Sequence, residues 1–256
     1  MRLDKLWALT FRDFLIFRRV KWKAVQFSYM PATTVLIWGL FALYSRESAL
    51  EAGLIVLVIN ILWAFAQLAQ SVVNFQMMED IWSGSLKQVL FVGFTPAEYI
   101  VSRMISSSIM ALLVILLMLG LAVPLGFNFF VPDLWPLIGI TLIVSLGMAV
   151  MVAALLLMLG KEYGFLSWSA LQIFILLSAP FFPVAVFPKF IQYISYVMPF
   201  TDVFNASRML AVGGSIAPGL LTKGLIIAIA YFVVSWPIYF WAFRIAKKKG
   251  FLAKLA

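Results

Sequence analysis

Asn60, Gln67 and Asn74 recur at intervals of seven inside one long apolar run, with Gln70 and Ser71 beside them. Seven residues make about two helical turns, so on a helix these side chains share a face. Carboxamides in an apolar setting can fasten one helix to another, with hydrogen bonds worth roughly 0.6–2 kcal/mol each in a membrane. They can also line a path and bind the polar groups of a passing molecule without placing a charge there. The residue types allow both readings. A second group follows in the stretch 76–99, QMMEDIWSGSLKQVLFVGFTPAEY, which is longer and more aromatic than a plain connector needs to be. Glu79 and Asp80 stand four to five residues before Gly84, and Leu86, Val89 and Leu90 form one side of a short helix lying along a membrane surface. The two acids pair with bases on the N-terminal segment (Arg12, Arg18 or Arg19) or on a partner, or they are simply solvated. Trp82 and Phe91 fit partner anchors, because aromatic residues are enriched at interfaces, and fit headgroup anchors equally well.

Other chemistry is excluded by what the chain lacks. It contains no histidine and no cysteine. The commonest general base and metal ligand is therefore missing, and with it Ser-His proteolysis and the H-E-x-x-H zinc site. No G-x-x-x-x-G-K-[ST] phosphate loop occurs, so ATP is not bound in that way. No carboxylate falls in the middle of an apolar run, which argues against a proton relay through buried acids. The side chains point to passage or docking and not to catalysis.

The elements that must position these groups lie in lipid. Hydrophobic residues make up 64% of the 256 and charged residues 11%, against about 45–50% and about 25% in soluble domains. A spanning helix needs about 20 mostly apolar residues. Six stretches qualify, at 25–43, 53–75, 104–125, 135–159, 165–186 and 224–243. On this reading 15 of the 19 basic residues fall on the face that carries both termini, and only Arg46, Lys189, Arg208 and Lys223 fall on the other. The positive-inside rule makes the first face cytoplasmic. The net charge of +9 thus reflects topology and not nucleic-acid binding. No cleavable signal peptide, internal repeat or appended soluble domain is expected, so 1–256 reads as one membrane domain.

Segment 1–23 is not a span. Leu3, Trp7, Phe11 and Phe14 recur at helical spacing while Arg2, Lys5, Arg12 and Asp13 point elsewhere, the pattern of a basic amphipathic helix at the headgroup level. The segment 188–222 on the far face is half apolar and broken by prolines. Pro188 starts one short helix, and a second fits from about 201 to 212, closed by Gly213-Gly214. Such segments read as re-entrant or interfacial structure. Thr95-Pro96-Ala97-Glu98 reads as a capping box with a first-turn proline, restarting the chain as the third span.

The arrangement resembles the transmembrane subunit of ABC-2 type ABC transporters. That family commonly carries acid-x-x-x-Gly-Thr-Leu-Glu-x-Leu-Leu in this loop, and here it stands as Asp80-Ile-Trp-Ser-Gly-Ser-Leu-Lys-Gln-Val-Leu90. The family also favours a fifth-span ending matched by Phe181-Phe182-Pro183, Pro188, Gln192-Tyr-Ile-Ser195, Pro199 and Arg208. Two departures stand out: Lys87 where an acid is common, and Val92-Gly93 with the proline delayed to Pro96. The resemblance implies a permease subunit that exports a hydrophobic or amphipathic molecule, drug or lipid-like. It pairs with a second six-span copy, identical or related, and with two cytoplasmic ATPase subunits. ATP and Mg bind in those partners, and this chain itself holds no cofactor or metal. Loop 76–103 then couples to the ATPase through Glu79, Asp80, Trp82, Gly84, Leu86 and Leu90. The path is lined by Asn60, Gln67, Gln70, Ser71, Asn74, Trp168, Gln172 and Phe181, and the outer gate uses Pro183, Pro188, Pro199 and Arg208. Export of a glycolipid or polysaccharide is the rival within the class. A secondary transporter and an assembly or immunity protein are rivals outside it.

Overall fold

The computed structural model describes residues 3–45, 49–127 and 131–248, and no strand occurs among them. Arg2, Arg46, Lys249 and Lys254 of the charge pattern lie outside the described residues. The helices run in order α1 (Leu3–Arg19), α2 (Lys21–Tyr44), α3 (Leu50–Trp82), α4 (Ser85–Phe91), α5 (Pro96–Ala122), α6 (Leu134–Leu159), α7 (Leu166–Leu177), α8 (Lys189–Ser195), α9 (Thr201–Ala211) and α10 (Pro218–Lys248). Five of them, α2, α3, α5, α6 and α10, are long and apolar enough to cross a membrane. The shortest of these, α2, has 24 residues and is therefore about 36 Å long. This is an all-α, multi-pass membrane architecture.

The fifth expected span, 165–186, is not one helix. Its helical part, α7, has 12 residues and is about 18 Å long. Pro180 disfavours helix at the residue before it, and Ala179 takes a left-handed φ of 49°. The chain then makes a single 3-10 turn at Val184–Val186 between Pro183 and Pro188. Two other expected boundaries also shift. The loop expected at 76–103 is narrower, because α3 continues to Trp82 and places Glu79 and Asp80 in its last turns. The third expected span starts earlier than 104, because Thr95 and Glu98 form a reciprocal capping box with Pro96 in the first turn. Of the ionisable residues that looked like loop, Asp80, Glu98 and Arg103 are buried and hydrogen-bonded inside the protein, and Glu79 pairs with Lys23 at the surface.

Helix α1 exists as expected and is two-sided. Leu3, Trp7, Phe11 and Phe14 are exposed, while Leu6, Leu9, Thr10 and Asp13 are buried where α1 packs on α5. Central to the bundle is α3, which packs on α2, α5, α6, α7 and α9. The core has two parts. One is built around Leu57, Phe65, Ile115 and Phe204, and the other, at the α1 end, around Leu9, Met77, Tyr99 and Tyr239.

Helix α6 pairs most extensively with α10, at a place where only glycine fits. A Cβ on Gly147 would lie 2.9 Å from Phe232 Cα and 3.1 Å from its nitrogen. Small residues let membrane helices approach this closely. Gly147→Ala therefore forces the two backbones apart and destabilises the fold by about 1–3 kcal/mol, as read by denaturation of the purified chain in detergent. Gly139→Ala on the same helix, where a Cβ meets nothing within 4 Å, has no such clash to relieve.

Candidate functional site

Between α2, α3 and α7 lies a cavity of about 580 Å³, within the range of about 300–1,000 Å³ typical of ligand sites. Helix α2 contributes Phe27, Met30 and Thr34, helix α3 Asn60, Trp63, Gln67, Ser71 and Phe75, and helix α7 Trp168 and Gln172. None of the residues in its wall is ionisable. Four aromatic rings and a few neutral polar groups make it a place for an apolar body with a small uncharged polar handle.

The geometry divides the polar stripe. Asn60, Gln67 and Ser71 face the cavity, whereas Gln70 and Asn74 are fully buried and off its wall. Neither Gln70 nor Asn74, both expected along the path, reaches this cavity. Gln70 Nε2 donates to the Ser167 carbonyl at 3.1 Å, and Asn74 Nδ2 donates to the Gln70 carbonyl at 3.1 Å. Gln67 joins both groups: its Nε2 donates to the Trp168 carbonyl, and its Oε1 accepts from Gln172 Nε2 at 3.2 Å. Two glutamines of α3 therefore pin the first turn of α7. Trp168 and Gln172 reach the cavity, while Phe181 is not on its wall and has its ring 6.0 Å from that of Trp63.

At the α1 end of the same bundle sits a buried ionic cluster. Arg103 of α5 is 1% exposed. Its Nη1 donates to Asp13 of α1, and its Nη2 to Asp80 of α3 at 2.6 Å. Arg12 Nη2 donates to both Asp80 oxygens at 3.0 Å. The Tyr99 hydroxyl donates to Asp80 Oδ2 at 2.8 Å, and Ser85 Oγ, the first residue of α4, to Oδ1 at 2.7 Å. Ser106 Oγ donates to Asp13 Oδ2 at 3.0 Å. Two cations and two anions thus neutralise one another, which is what permits them to be buried. Sequence reasoning anticipated Arg12 as a partner of the acids but missed Asp13, Tyr99, Ser85 and Arg103. The available signals were an acid on the inward side of α1 and an arginine among apolar residues. Asp80 faces inward, so it is not free to dock a partner. Glu79 is the outward acid, and Lys23 Nζ of α2 donates to it at 2.6 Å.

The connection 83–95 is organised by this cluster. Gly84 has a φ of 70° and precedes α4, a conformation that glycine takes without the Cβ penalty other residues incur. Leu86 is buried, and Leu90 packs partly into the core. Lys5 Nζ donates to the Gly93 carbonyl at 2.5 Å and lies 5.2 Å from the centroid of the Phe94 ring. Trp82, Phe91 and Val92 point outward, with 56%, 94% and 72% exposure. Helix α4 is therefore held from below by α1 and α3, and it presents an apolar tip.

At the opposite end, Arg208 of α9 completes the break after α7. Its Nη1 donates to the carbonyls of Ala179 and Pro180 at 2.7 and 2.9 Å, and its Nη2 to Asn205. Carbonyls freed where a helix ends need such donors. Burial lowers the Arg208 pKa from its ordinary value. Pro183 and Pro188 flank the 3-10 turn on the surface, and Pro199 is buried ahead of α9. The sequence matches no protein-family model, and no curated protein matches it.

Proposed function

We propose that this chain is the permease subunit of an ATP-driven exporter of the ABC-2 type, moving a hydrophobic or amphipathic molecule. One juxtaposition supports the reading. An uncharged, aromatic cavity of ligand size shares helix α3 with an ionic cluster that fixes the outward-pointing α4. A displacement of α4 is passed into α1, α3 and α5 through charges that cannot separate without large cost. Two cytoplasmic ATPase subunits, which bind ATP and Mg, seat on Phe91 and Val92, and a second copy of the chain completes the path. The outer gate is the broken segment held by Arg208.

In this reading the chain crosses the membrane six times with both termini cytoplasmic, in keeping with the distribution of basic residues. Helix α7 and the irregular segment 178–183 together make the fifth crossing. Broken backbone is tolerated there because Arg208 satisfies its carbonyls. Helix α1 lies along the headgroups on its exposed Leu3–Trp7–Phe11–Phe14 side. The test is purification of the chain from its native membrane. An ATPase of phosphate-loop type co-purifies in stoichiometric amount, and the complex hydrolyses ATP. Recovery of the intact chain with no such ATPase overturns the proposal.

A further inference from the structure

A second, much smaller chamber of about 40 Å³ lies against the ionic cluster, between Arg12, Asp13, Lys23, Glu79, Asp80 and Arg103. It has room for about three water molecules. Arg12 Nε and Arg103 Nε are buried with no acceptor among the described residues, and both side chains line this chamber. Polar donors on a small polar chamber are what holds water there. The walls of this chamber and of the 580 Å³ cavity have two residues in common, Phe27 of α2 and Phe75 of α3. The ionic chamber and the aromatic cavity thus adjoin at two phenylalanines, one from each helix.

Helix α1 closes the arrangement. Ile16 and Phe17 line the small chamber, and the Phe17 ring stacks on that of Phe27 at 5.3 Å and 23°. The position of Phe17 is set in turn by its neighbours Arg12 and Asp13, which hold α1 on α3 and α5. Helix α2 can bend at the same place. Pro31 lies inside it and has no N–H to donate to the carbonyl of Phe27 one turn earlier. Thr33 and Thr34 donate back to the carbonyls of Tyr29 and Met30 at 2.8–3.0 Å, a bonding pattern that often bends helices.

We infer that Phe27 and Phe75 form the inner gate of the cavity, with α1 as its latch. Building on the transport reading, this gives the cavity a regulated inner mouth. In the latched state the rings separate cavity from chamber. When α4 is pushed, Lys5 and Arg12 carry the displacement into α1, the Phe17–Phe27 stack loosens, and the cavity opens to the α1 end.

The absence of cysteine makes a clean test possible. Ala64→Cys places a single thiol in the cavity wall. The protein is held in sealed lipid vesicles of known orientation and treated with a small, membrane-impermeant, positively charged thiosulfonate. From the α1 side the thiol reacts slowly. Adding Phe27→Ala accelerates that reaction at least ten-fold and leaves the rate from the other side unchanged. Phe75→Ala does the same from the opposite helix, so the outcome does not hang on one variant. Ile115→Ala, which loosens the buried core while leaving both rings in place, keeps the rate within two-fold of the parent. An unchanged rate in both phenylalanine variants overturns the gate. Equal acceleration from both sides, or an equal effect of Ile115→Ala, overturns it as well, by showing general loosening. No ATPase or transported compound enters the assay, so a failed gate and a failed transporter assignment give different results.

Discussion

Asp80→Asn lowers the stability of the folded chain by roughly 3–5 kcal/mol, measured by denaturant titration of the purified protein in detergent. Asparagine keeps the shape, but its single oxygen can accept at only one of the two positions, from Ser85 or from Tyr99, and its amide nitrogen meets donors at the other. It removes one of the two negative charges that balance Arg12 and Arg103 in a cluster where Arg103 and both acids are buried and Arg12 is partly exposed. Leaving Arg103 short of counter-charge is the main cost, because its other anionic partner, Asp13, cannot satisfy two guanidinium groups. Restoring the balance separates charge from shape. In Asp80→Asn with Arg12→Gln, the loss is smaller than the sum of the two single losses, because each change removes the group that the other leaves unpaired. Additive losses, or a single-variant loss below 1 kcal/mol, would show that the cluster is not a balanced buried unit. Glu79→Gln is the contrast. Its side chain is 47% exposed, and exposed pairs contribute about 0–1 kcal/mol.

On the proposed reading, Phe91→Ala weakens attachment of the ATPase by about 30-fold while leaving the stability of the chain nearly unchanged. An aromatic anchor at the centre of an interface costs about 2 kcal/mol or more when truncated, and that energy corresponds to about 30-fold in affinity. In the isolated chain the Phe91 ring is 94% exposed and gives almost no packing to lose, so stability moves by no more than about 0.5 kcal/mol. Leu86→Ala, on the buried side of the same short helix, behaves oppositely and unfolds α4 from its seat. The measurement is a binding titration of the purified ATPase against the reconstituted chain, alongside denaturation of each variant. Wild-type affinity in Phe91→Ala would mean that the tip of α4 rests in the headgroups and touches no partner.

Local features of the chain were legible without a fold. The stripe Leu3–Trp7–Phe11–Phe14 repeats at the helical period, and α1 exposes that stripe. Thr95, Pro96 and Glu98 start α5 because a capping box acts within four residues. Pro188 and Gly213 bound the two short helices near where the sequence placed them, since both act through their own backbone dihedrals. Tertiary structure decided the rest. In lipid, an apolar side chain is equally at home against solvent and against protein, so hydrophobicity cannot say which side of α3 faces inward. The seven-residue stripe therefore reads as one face, yet packing sends Gln67 to the cavity and Gln70 and Asn74 into the helix seam. Glu79 and Asp80 are adjacent acids of one type, and only the fold turns one outward and buries the other. Asp80 is buried because Arg103, 23 residues away, and Arg12, 68 residues away, arrive at the same point. Charges can leave water only as a complete set, and that set exists only once α1, α3 and α5 have packed.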